Sequence, residues 1–289
     1  MTQKPENKTA LGDRMKLYEQ VSRHCLMPRG YVCIRCDGRS FHNYTKGLAR
    51  PFDKGLMADM DATAVYLCEN IQGAKVGYVQ SDEISVITAN FGDFETQTFF
   101  DGNIQKISSV VASMATAKFN QLRYIRGSRW FDMQTGMMCM EKKVADISGM
   151  PKTYGQYTPS EAFDKIAMFD CRCWNVPNNW EAYNTLVWRQ QDAIRNSISS
   201  VAQSFYSHNE LNGKDQTDMH EMLHQKGINW VTDYTDGEKN GRVIVKESYP
   251  MQNRIDGTDM QRNRWVSNGA WKFTEDKEKL LAMIPTYPA

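Results

Sequence analysis

The chain has 289 residues, with 41% hydrophobic side chains, 24% charged side chains and a formal net charge of +1. This composition is typical of a globular protein that is long enough to bury a core without disulfides or structural metals. The near-zero net charge excludes a uniformly basic surface, although local basic patches remain compatible with it.

The sequence carries no sign of a membrane or secreted protein. No apolar run reaches the roughly 18 residues of a membrane span, and the N-terminal stretch lacks the apolar core of a signal peptide. The seven cysteines are an odd number at irregular positions, which suits reduced thiols better than a disulfide framework. We therefore expect a cytoplasmic protein without a membrane partner.

The first part of the chain alternates predicted helices and strands. In chain order they are a helix over residues 11–25, a strand over 31–36, a helix over 53–71, a hairpin over 75–89, a helix over 103–122 and a strand within 163–176. The order strand–helix–hairpin–helix–strand is that of a ferredoxin-like βαββαβ sheet. The predicted fold class is therefore α+β.

The rest of the chain is predicted to be mainly helical. Its predicted elements are helices over residues 179–207 and 215–226, a turn-rich segment over 232–241, a strand over 242–246 and a helix near 275–284. The tail from Tyr249 is otherwise polar. A break at Pro177 supports a division into one domain over residues 11–178 and a helical C-terminal region over 179–289.

Acidic residues occur at two places that the predicted sheet brings together. Asp37 and Gly38 end the first strand, while Asp82 and Glu83 lie in the hairpin turn. Carboxylates are ligands that Mg²⁺ prefers, and two such ions about 3.5–4 Å apart hold the attacking and leaving oxygens of a phosphoryl displacement. The backbone carbonyl of Gly38 is open to a metal because no side chain obstructs it. The alternative is a pair of ordinary solvated turns.

Basic side chains follow the first acidic motif closely. They are Arg39, His42, Lys46 and Arg50. A triphosphate carries more negative charge than bound metal ions neutralise, so cations beside a carboxylate-bound metal suit a nucleotide site. A basic surface loop is the alternative interpretation.

Together these motifs resemble those of the tRNA-His guanylyltransferase family and its Thg1-like relatives. Residues 35–42 read RCDGRSFH, residues 50–53 read RPFD and residues 80–83 read QSDE. Later matches keep the family's order, with KISSVVAS at residues 106–113, FDCR at 169–172 and WRQQD at 188–192. The resemblance covers about residues 30–245, and its specificity comes from six short motifs in one order.

The resemblance implies a polymerase-palm catalytic domain over residues 11–178 and a fingers-like helical region over residues 179–289. It implies 3′-to-5′ nucleotide addition to the 5′ end of tRNA, in which the 3′-hydroxyl of the incoming nucleotide attacks an activated 5′-phosphate. Two Mg²⁺ ions, ATP or GTP as substrate, a tRNA partner and a homotetramer are implied with it.

Residue by residue, the resemblance implies a role at each matching position. Asp37 and Asp82 are the implied metal carboxylates, Gly38 the backbone-carbonyl ligand and Glu83 a further catalytic acid. The implied nucleotide contacts are Arg39, Ser40, Phe41, His42, Arg50, Asp53, Ser81 and Lys106. Among these, Asp53 is expected near a guanine-type base, and Arg50 and Lys106 at the triphosphate. Arg50 stands where the family usually has lysine, and its guanidinium binds phosphate as a fork rather than a point charge.

One stretch departs from the pattern of the eukaryotic guanylyltransferases. After the WRQQD run those enzymes carry His-Ile-Asn-Asn-Leu-Tyr-Asn, whereas residues 194–200 here read IRNSISS. In the family this loss marks the Thg1-like branch, which repairs 5′-truncated tRNAs by templated addition. Template-dependent repair is therefore the preferred interpretation over guanylylation of tRNA-His alone.

Three other functions compete with this interpretation. A tRNA-binding module without catalysis would not need intact metal carboxylates, which repel one another. A cyclic-dinucleotide synthase shares the palm, but its Gly-Gly-Asp-Glu-Phe turn is absent where residues 80–84 read QSDEI. A zinc hydrolase is suggested by HEMLH at residues 220–224, but the longer zinc-protease motif needs a histidine where Trp230 stands.

Overall fold

The structure is a computed structural model that describes residues 10–135, 165–252 and 258–287, without the side chains of residues 127–135. Its strands are β1 (Tyr31–Gly38), β2 (Ala74–Gln80), β3 (Glu83–Ala89), β4 (Phe169–Val176), β5 (Arg242–Gln252) and β6 (Asp259–Ser267). They form one six-stranded sheet in the order β4-β1-β3-β2-β5-β6, and every neighbouring pair is antiparallel.

The helices lie on both faces of this sheet. They are α1 (Ala10–Val21), α2 (Phe41–Tyr44), α3 (Lys54–Asn70), α4 (Ile104–Thr135), α5 (Asn179–Gln203), α6 (His208–Leu211), α7 (Gln216–Gln225), α8 (Trp230–Asp233), α9 (Asp236–Asn240) and α10 (Lys277–Met283). A 3₁₀ turn spans Phe99–Gly102. None of the helices in the described part of the chain combines the length and apolarity needed to cross a membrane.

The predicted βαββαβ unit is confirmed. The four strands β4-β1-β3-β2 are contiguous in the sheet, with α3 connecting β1 to β2 and α4 following β3. Because β3 lies between β1 and β2, the end of β1 is next to the turn that joins β2 to β3. This adjacency places the two acidic motifs side by side at the same end of the central strands.

The central strand β1 is buried on both faces, which explains its nearly continuous apolar sequence. Val32, Ile34 and Cys36 point into a core with α3 and α4. Tyr31 and Cys33 point into a second core that α5 and α10 cover from the other face. The sheet is thus held between two helical layers, and each layer supplies one side of the site.

In the tail, the predicted helix near residues 275–284 is confirmed as α10, but the extent of the strands was missed. The strand predicted over residues 242–246 continues as β5 to Gln252, and β6 pairs with it along its length. β6 is an edge strand whose side chains are mostly exposed, so it lacks the apolar alternation by which strands are recognised. Only Trp265 and Val266 of β6 pack against the cores.

Several helix ends also differ from the prediction. α1 ends at Val21, and α4 runs on to Thr135. α5 begins where predicted, because the Asn178 side chain accepts a 2.9 Å hydrogen bond from the backbone N–H of Glu181 as an N-cap. It ends at Gln203, four residues early. The C-terminal region is helical up to Asn240, and its two strands join the sheet of the N-terminal part. The division at residue 178 stays a prediction.

Candidate active site

The two acidic motifs meet at the end of β1. In the strand register, Asp37 lies opposite Glu83 of β3 and Asp170 of β4. The backbone N–H of Gly38 donates a 3.1 Å hydrogen bond to the carbonyl of Asp82, which ties the strand end to the hairpin turn. The turn itself depends on Ser81, whose φ of 47° is left-handed. The structure therefore brings the carboxylates of Asp37 and Asp82 together at the same end of the central strands.

Both carboxylates resist ionisation in the folded chain. Burial, followed by repulsion from Asp37, raises the pKa of Asp82 to about 6. Burial, followed by repulsion from Asp170, also raises the pKa of Asp37. Nearby arginines lower the pKa of Asp37 but do not offset these effects. A cation between the two carboxylates would remove the repulsion and favour their charged forms.

The oxygen atoms at this end of β1 are of the kind that binds Mg²⁺. The carboxylates of Asp37 and Asp82 and the carbonyl of Gly38 are hard oxygen donors, and Mg²⁺ usually takes one or two carboxylates together with substrate phosphates. Across residues 10–135, 165–252 and 258–287, no three His, Cys, Asp or Glu residues form a complete metal cluster. Oxygens of water or of a bound substrate would complete the coordination.

A cavity of ≈ 590 Å³ opens directly beside the carboxylates. Most of the residues predicted for the site line it: Asp37, Gly38, Ser40, Phe41, His42, Arg50, Asp53, Ser81 and Asp82. Arg50 and His42 are exposed side chains on this lining, so positive charge is available to an anionic ligand. The cavity thus has acids at one end and cationic groups on its wall.

Two of the predicted nucleotide contacts also have structural roles. Phe41 is buried in an aromatic cluster with Phe119 and Phe169, at ring-centroid distances of 5.7 and 5.2 Å. A Cβ at Gly38 would lie 2.2 Å from the Phe41 ring, so only glycine fits there. Asp53 caps α3, since its carboxylate accepts a 2.7 Å hydrogen bond from the N–H of Leu56. Their contacts with a nucleotide stay predictions.

Glu83 does not line the cavity. Its carboxylate is buried and accepts two hydrogen bonds from the Arg189 guanidinium of α5, at 2.7 and 2.6 Å. Burial raises the pKa of Glu83 above its ordinary value, and the bonds to Arg189 offset this only in part. Arg189 also donates a 2.7 Å hydrogen bond to Asp192. In this geometry Glu83 braces the strand beside Asp37 and contacts an arginine instead of the space where a substrate fits.

Arg39 and Lys106 also lie outside the cavity lining. The backbone N–H of Arg39 donates to the Met168 carbonyl at 2.8 Å, while its side chain is exposed. Lys106 lies at the start of α4, with its ammonium 4.8 Å from the Phe100 ring. The Asp37 end of the sheet packs later along α4, where Thr116 accepts a hydrogen bond from the N–H of Phe169. The nucleotide roles of Arg39 and Lys106 stay predictions.

Sequence reasoning missed the wall that the C-terminal half contributes. Asn196, Ser197 and Ser200 of α5 line the cavity opposite the carboxylates, and Arg242 lines it from β5. Gln80 lines it as well, and its buried Oε1 has no hydrogen-bond partner within the described structure. An unpaired buried amide oxygen is costly unless a ligand satisfies it. In the sequence, the small polar residues of α5 are the feature that could have indicated this wall.

The HEMLH segment has a structural role on the surface. His220 in α7 packs edge-to-face against Trp230, with ring centroids 5.4 Å apart. Glu221 and His224 are exposed.

Comparison with known proteins decides the family. Residues 12–177 match the family model described as tRNAHis guanylyltransferase. The chain belongs to this family. It is accordingly a nucleotidyltransferase, in a family that adds nucleotides to the 5′ end of tRNA. The sequence-based identification and the enzyme class are confirmed.

Solved relatives extend the match to nearly the whole chain. A bacterial Thg1-like protein in complex with ATP is 36% identical, covers 96% of this chain and 99% of its own, and has a TM-score of 0.75. The complex of a bacterial Thg1-like protein with GTP is also 36% identical, covers 95% and 99%, and has a TM-score of 0.70. Among sequence relatives, the tRNA(His) guanylyltransferase of Schizosaccharomyces pombe is 24% identical over 81% of this chain and 79% of its own.

Proposed function

We propose that this protein repairs the 5′ end of tRNA by template-dependent addition of nucleotides in the 3′-to-5′ direction, using two Mg²⁺ ions. The observation that carries the proposal is the pair of half-buried carboxylates, Asp37 and Asp82, in the lining of a ≈ 590 Å³ cavity. Burial and repulsion between carboxylates raise both pKa values, and a cation bound between the two groups would relieve that repulsion.

The cavity is proposed to hold the nucleoside triphosphate. Structures of bacterial Thg1-like relatives contain ATP or GTP, which supports a nucleotide in the corresponding space. Arg50 and His42 would face its phosphates, and the free Oε1 of Gln80 would accept a hydrogen bond from its sugar or base. The walls from α2 and α5 would fix its orientation.

The proposed reaction joins the 3′-hydroxyl of the incoming nucleotide to the activated 5′-phosphate of the tRNA. A new P–O bond forms, the hydroxyl proton is lost, and pyrophosphate or AMP leaves, depending on how the phosphate was activated. When bound, the metal ions neutralise the phosphate charge and hold the attacking and leaving oxygens in line. Asp37 and Asp82 would orient the reacting groups, and Glu83 would hold β3 in place through Arg189.

The wall formed by α5 favours repair over addition to one tRNA alone. Residues 194–200 read IRNSISS, and Ser197, Ser199 and Ser200 line the cavity where the eukaryotic guanylyltransferases carry larger side chains. Small side chains leave room for a base paired to a template instead of one fixed base. A homotetramer that shares the tRNA between subunits is part of the proposal.

The test uses a tRNA that lacks its first nucleotide and carries a labelled 5′-phosphate. The tRNA is incubated with protein, ATP, Mg²⁺ and each nucleoside triphosphate in turn. We expect growth by one nucleotide only with the triphosphate complementary to the opposing base. Replacing that opposing base should change the nucleotide that is added.

Two other outcomes would change the proposal. Addition of guanosine regardless of the opposing base would contradict template dependence and favour plain guanylylation. No growth with any triphosphate, beside intact nucleotide binding, would reject tRNA repair. Gel filtration with light scattering tests the tetramer separately.

A further inference from the structure

A half-exposed tryptophan lies next to the catalytic carboxylates, outside the cavity. Trp188 of α5 keeps 48% of its surface exposed, although the neighbouring residues Arg189 and Gln190 are buried. It does not line the cavity. A large aromatic side chain held in solvent beside an active site needs a reason, since its exposure forgoes hydrophobic stabilisation.

Two arginines hold the indole in place. The guanidinium carbon of Arg189 lies 4.5 Å from the ring centroid of Trp188, and that of Arg35 lies 5.6 Å away. Both guanidinium groups also contact the same carboxylate oxygen of Glu83, at 2.6 and 3.9 Å. The indole therefore lies beside the two arginines that contact Glu83, while about half of its surface stays exposed.

This arrangement places the exposed indole close to the reacting groups. Arg35 and Asp37 are alternate residues on one face of β1, about 7 Å apart along the strand. Arg172 of β4 pairs in register with Arg35. Asp37 thus lines the cavity and lies two residues along β1 from Arg35, the arginine that contacts Trp188.

Further arginines border the same surface. Arg172 is mostly exposed and lies 3.8 Å from Asp170, and Arg195 is half-exposed and bonds to Asp192 at 2.8 Å. Exposed pairs of this kind are weak, so both guanidinium groups are available to phosphate. An aromatic face with arginines at its border is a typical site for the end of an RNA strand, where a base stacks on the ring and the arginines contact the phosphate.

We propose that Trp188 stacks on the 5′-terminal base of the acceptor RNA, with Arg172 and Arg195 contacting its backbone. This inference rests on the proposed function, because that function makes an RNA 5′ end the acceptor. Trp188 holds the acceptor end near Asp37 while the cavity holds the triphosphate.

The test measures stacking directly. The probe is an acceptor-stem hairpin with a 5′-phosphate and fluorescent 2-aminopurine as its first base. Stacking on an indole quenches this fluorophore, so wild-type protein should quench it on binding. Trp188→Ala should abolish the quenching and weaken hairpin binding by about tenfold, since stacking of one base contributes roughly 1–3 kcal/mol. The KM for ATP should stay unchanged.

Trp180 provides a matched control on the same helix. It has 47% of its surface exposed and packs near Lys277, away from the carboxylates. Trp180→Ala should bind and quench the hairpin as the wild type does. Trp188→Phe should retain part of the quenching, whereas Trp188→Leu should lose it although it restores apolar contact. Far-UV circular dichroism and melting temperatures establish that each variant is folded.

The outcomes separate this inference from the proposed function. Equal binding and quenching by Trp188→Ala and Trp180→Ala would overturn the stacking role, even if the wild type extends tRNA. Protection of Trp188 from acrylamide in the RNA-free protein would also overturn it, by indicating a contact between subunits. Quenching that depends on Trp188, without nucleotide addition to any tRNA, would support the stacking role and reject the proposed function.

Discussion

Asp82 and Glu83 are neighbours in the chain, yet their carboxylates have different partners. Glu83 is buried and accepts two hydrogen bonds from Arg189, which offset only part of the rise in its pKa that burial causes. Asp82 is enclosed beside a second carboxylate, and its pKa is raised to about 6 by burial and by Asp37. The carboxylate with an arginine partner connects α5 to the sheet. The carboxylate beside a second carboxylate is a place where a bound cation would be stabilising.

The largest expected effect comes from removing the uncompensated acid. Asp82→Ala should lower nucleotide addition by a factor of roughly 1,000 or more, since metal-held charge stabilisation contributes several kcal/mol. The metal-free variant should be at least as stable as the wild type, because one of two repelling charges is gone. Single-turnover rates and urea unfolding measure both effects. Unchanged turnover would remove Asp82 from the mechanism.

Removing the compensating arginine should have the opposite pattern. Arg189→Met leaves the buried carboxylate of Glu83 with only the Ser85 hydroxyl at 3.4 Å and Arg35 at 3.9 Å, which should cost about 3–5 kcal/mol of unfolding free energy. Urea unfolding at neutral pH measures this loss. The double variant Arg189→Met with Glu83→Gln should recover part of it. A destabilisation below about 1 kcal/mol would show that the pair does not brace the sheet.

The pH dependence of stability tests the environment of Asp82. The folded pKa of Asp82, about 6, lies above its ordinary 3.8, so the native chain holds this proton more tightly than the unfolded chain does. Metal-free protein should therefore lose stability as the pH rises from about 4 through 6. Mg²⁺ affinity should fall below pH 6, by roughly tenfold per unit, as protons compete for the carboxylate.

Unfolding with a chelator at several pH values measures this slope. Asp82→Asn should reduce it, leaving the contributions of Asp37 and Glu83, whose pKa values are raised in the same direction. A wild-type slope of opposite sign between pH 4 and 6 would contradict the assignment of Asp82 as an uncompensated acid.

The two basic residues predicted to contact the triphosphate lie in different places. Arg50 lines the cavity, whereas Lys106 lies outside it beside Phe100. Arg50→Ala should raise the KM for nucleoside triphosphate by about tenfold, the value of one charge-assisted hydrogen bond, and Lys106→Ala by much less. Steady-state kinetics at fixed tRNA compares them. A larger effect of Lys106→Ala would mean that the triphosphate lies elsewhere.

The smallest predicted effect concerns Gln80. The buried Oε1 of Gln80 accepts no hydrogen bond within the described structure. Gln80→Ala removes this acceptor, so it should raise the KM for the nucleotide about fivefold, which corresponds to one neutral hydrogen bond. Gln72→Ala, in an exposed turn away from the cavity, serves as the control. Equal KM values for the two variants would exclude Gln80 from nucleotide binding.

The sequence predicted the acidic half of the site because its signals are local. Asp37-Gly38 ends a β-prone run, and Asp82 lies in the turn of a hairpin, so the βαββαβ order alone brings them together. The resemblance to a known family then supplied the roles of these residues. The strand and turn pattern and the family motifs are each contained in a few consecutive residues.

The remaining features depend on contacts that no local pattern reveals. Arg189 reaches Glu83 across 106 residues of sequence, and the cavity wall of Asn196 and Arg242 forms only when α5 and β5 pack on the sheet. β6 was missed because an edge strand with exposed side chains looks like a polar tail. Long-range pairing, more than secondary structure, limited what the sequence could predict.

The most direct test of a cation site between Asp37 and Asp82 is the effect of Mg²⁺ on the unfolding of wild-type protein and of Asp82→Asn, at pH 7 without nucleotide. Mg²⁺ should raise the melting temperature of the wild type over the same concentrations that activate nucleotide addition, because it binds only the folded state. It should leave Asp82→Asn unchanged. Equal stabilisation of both proteins, or of neither, would contradict the account.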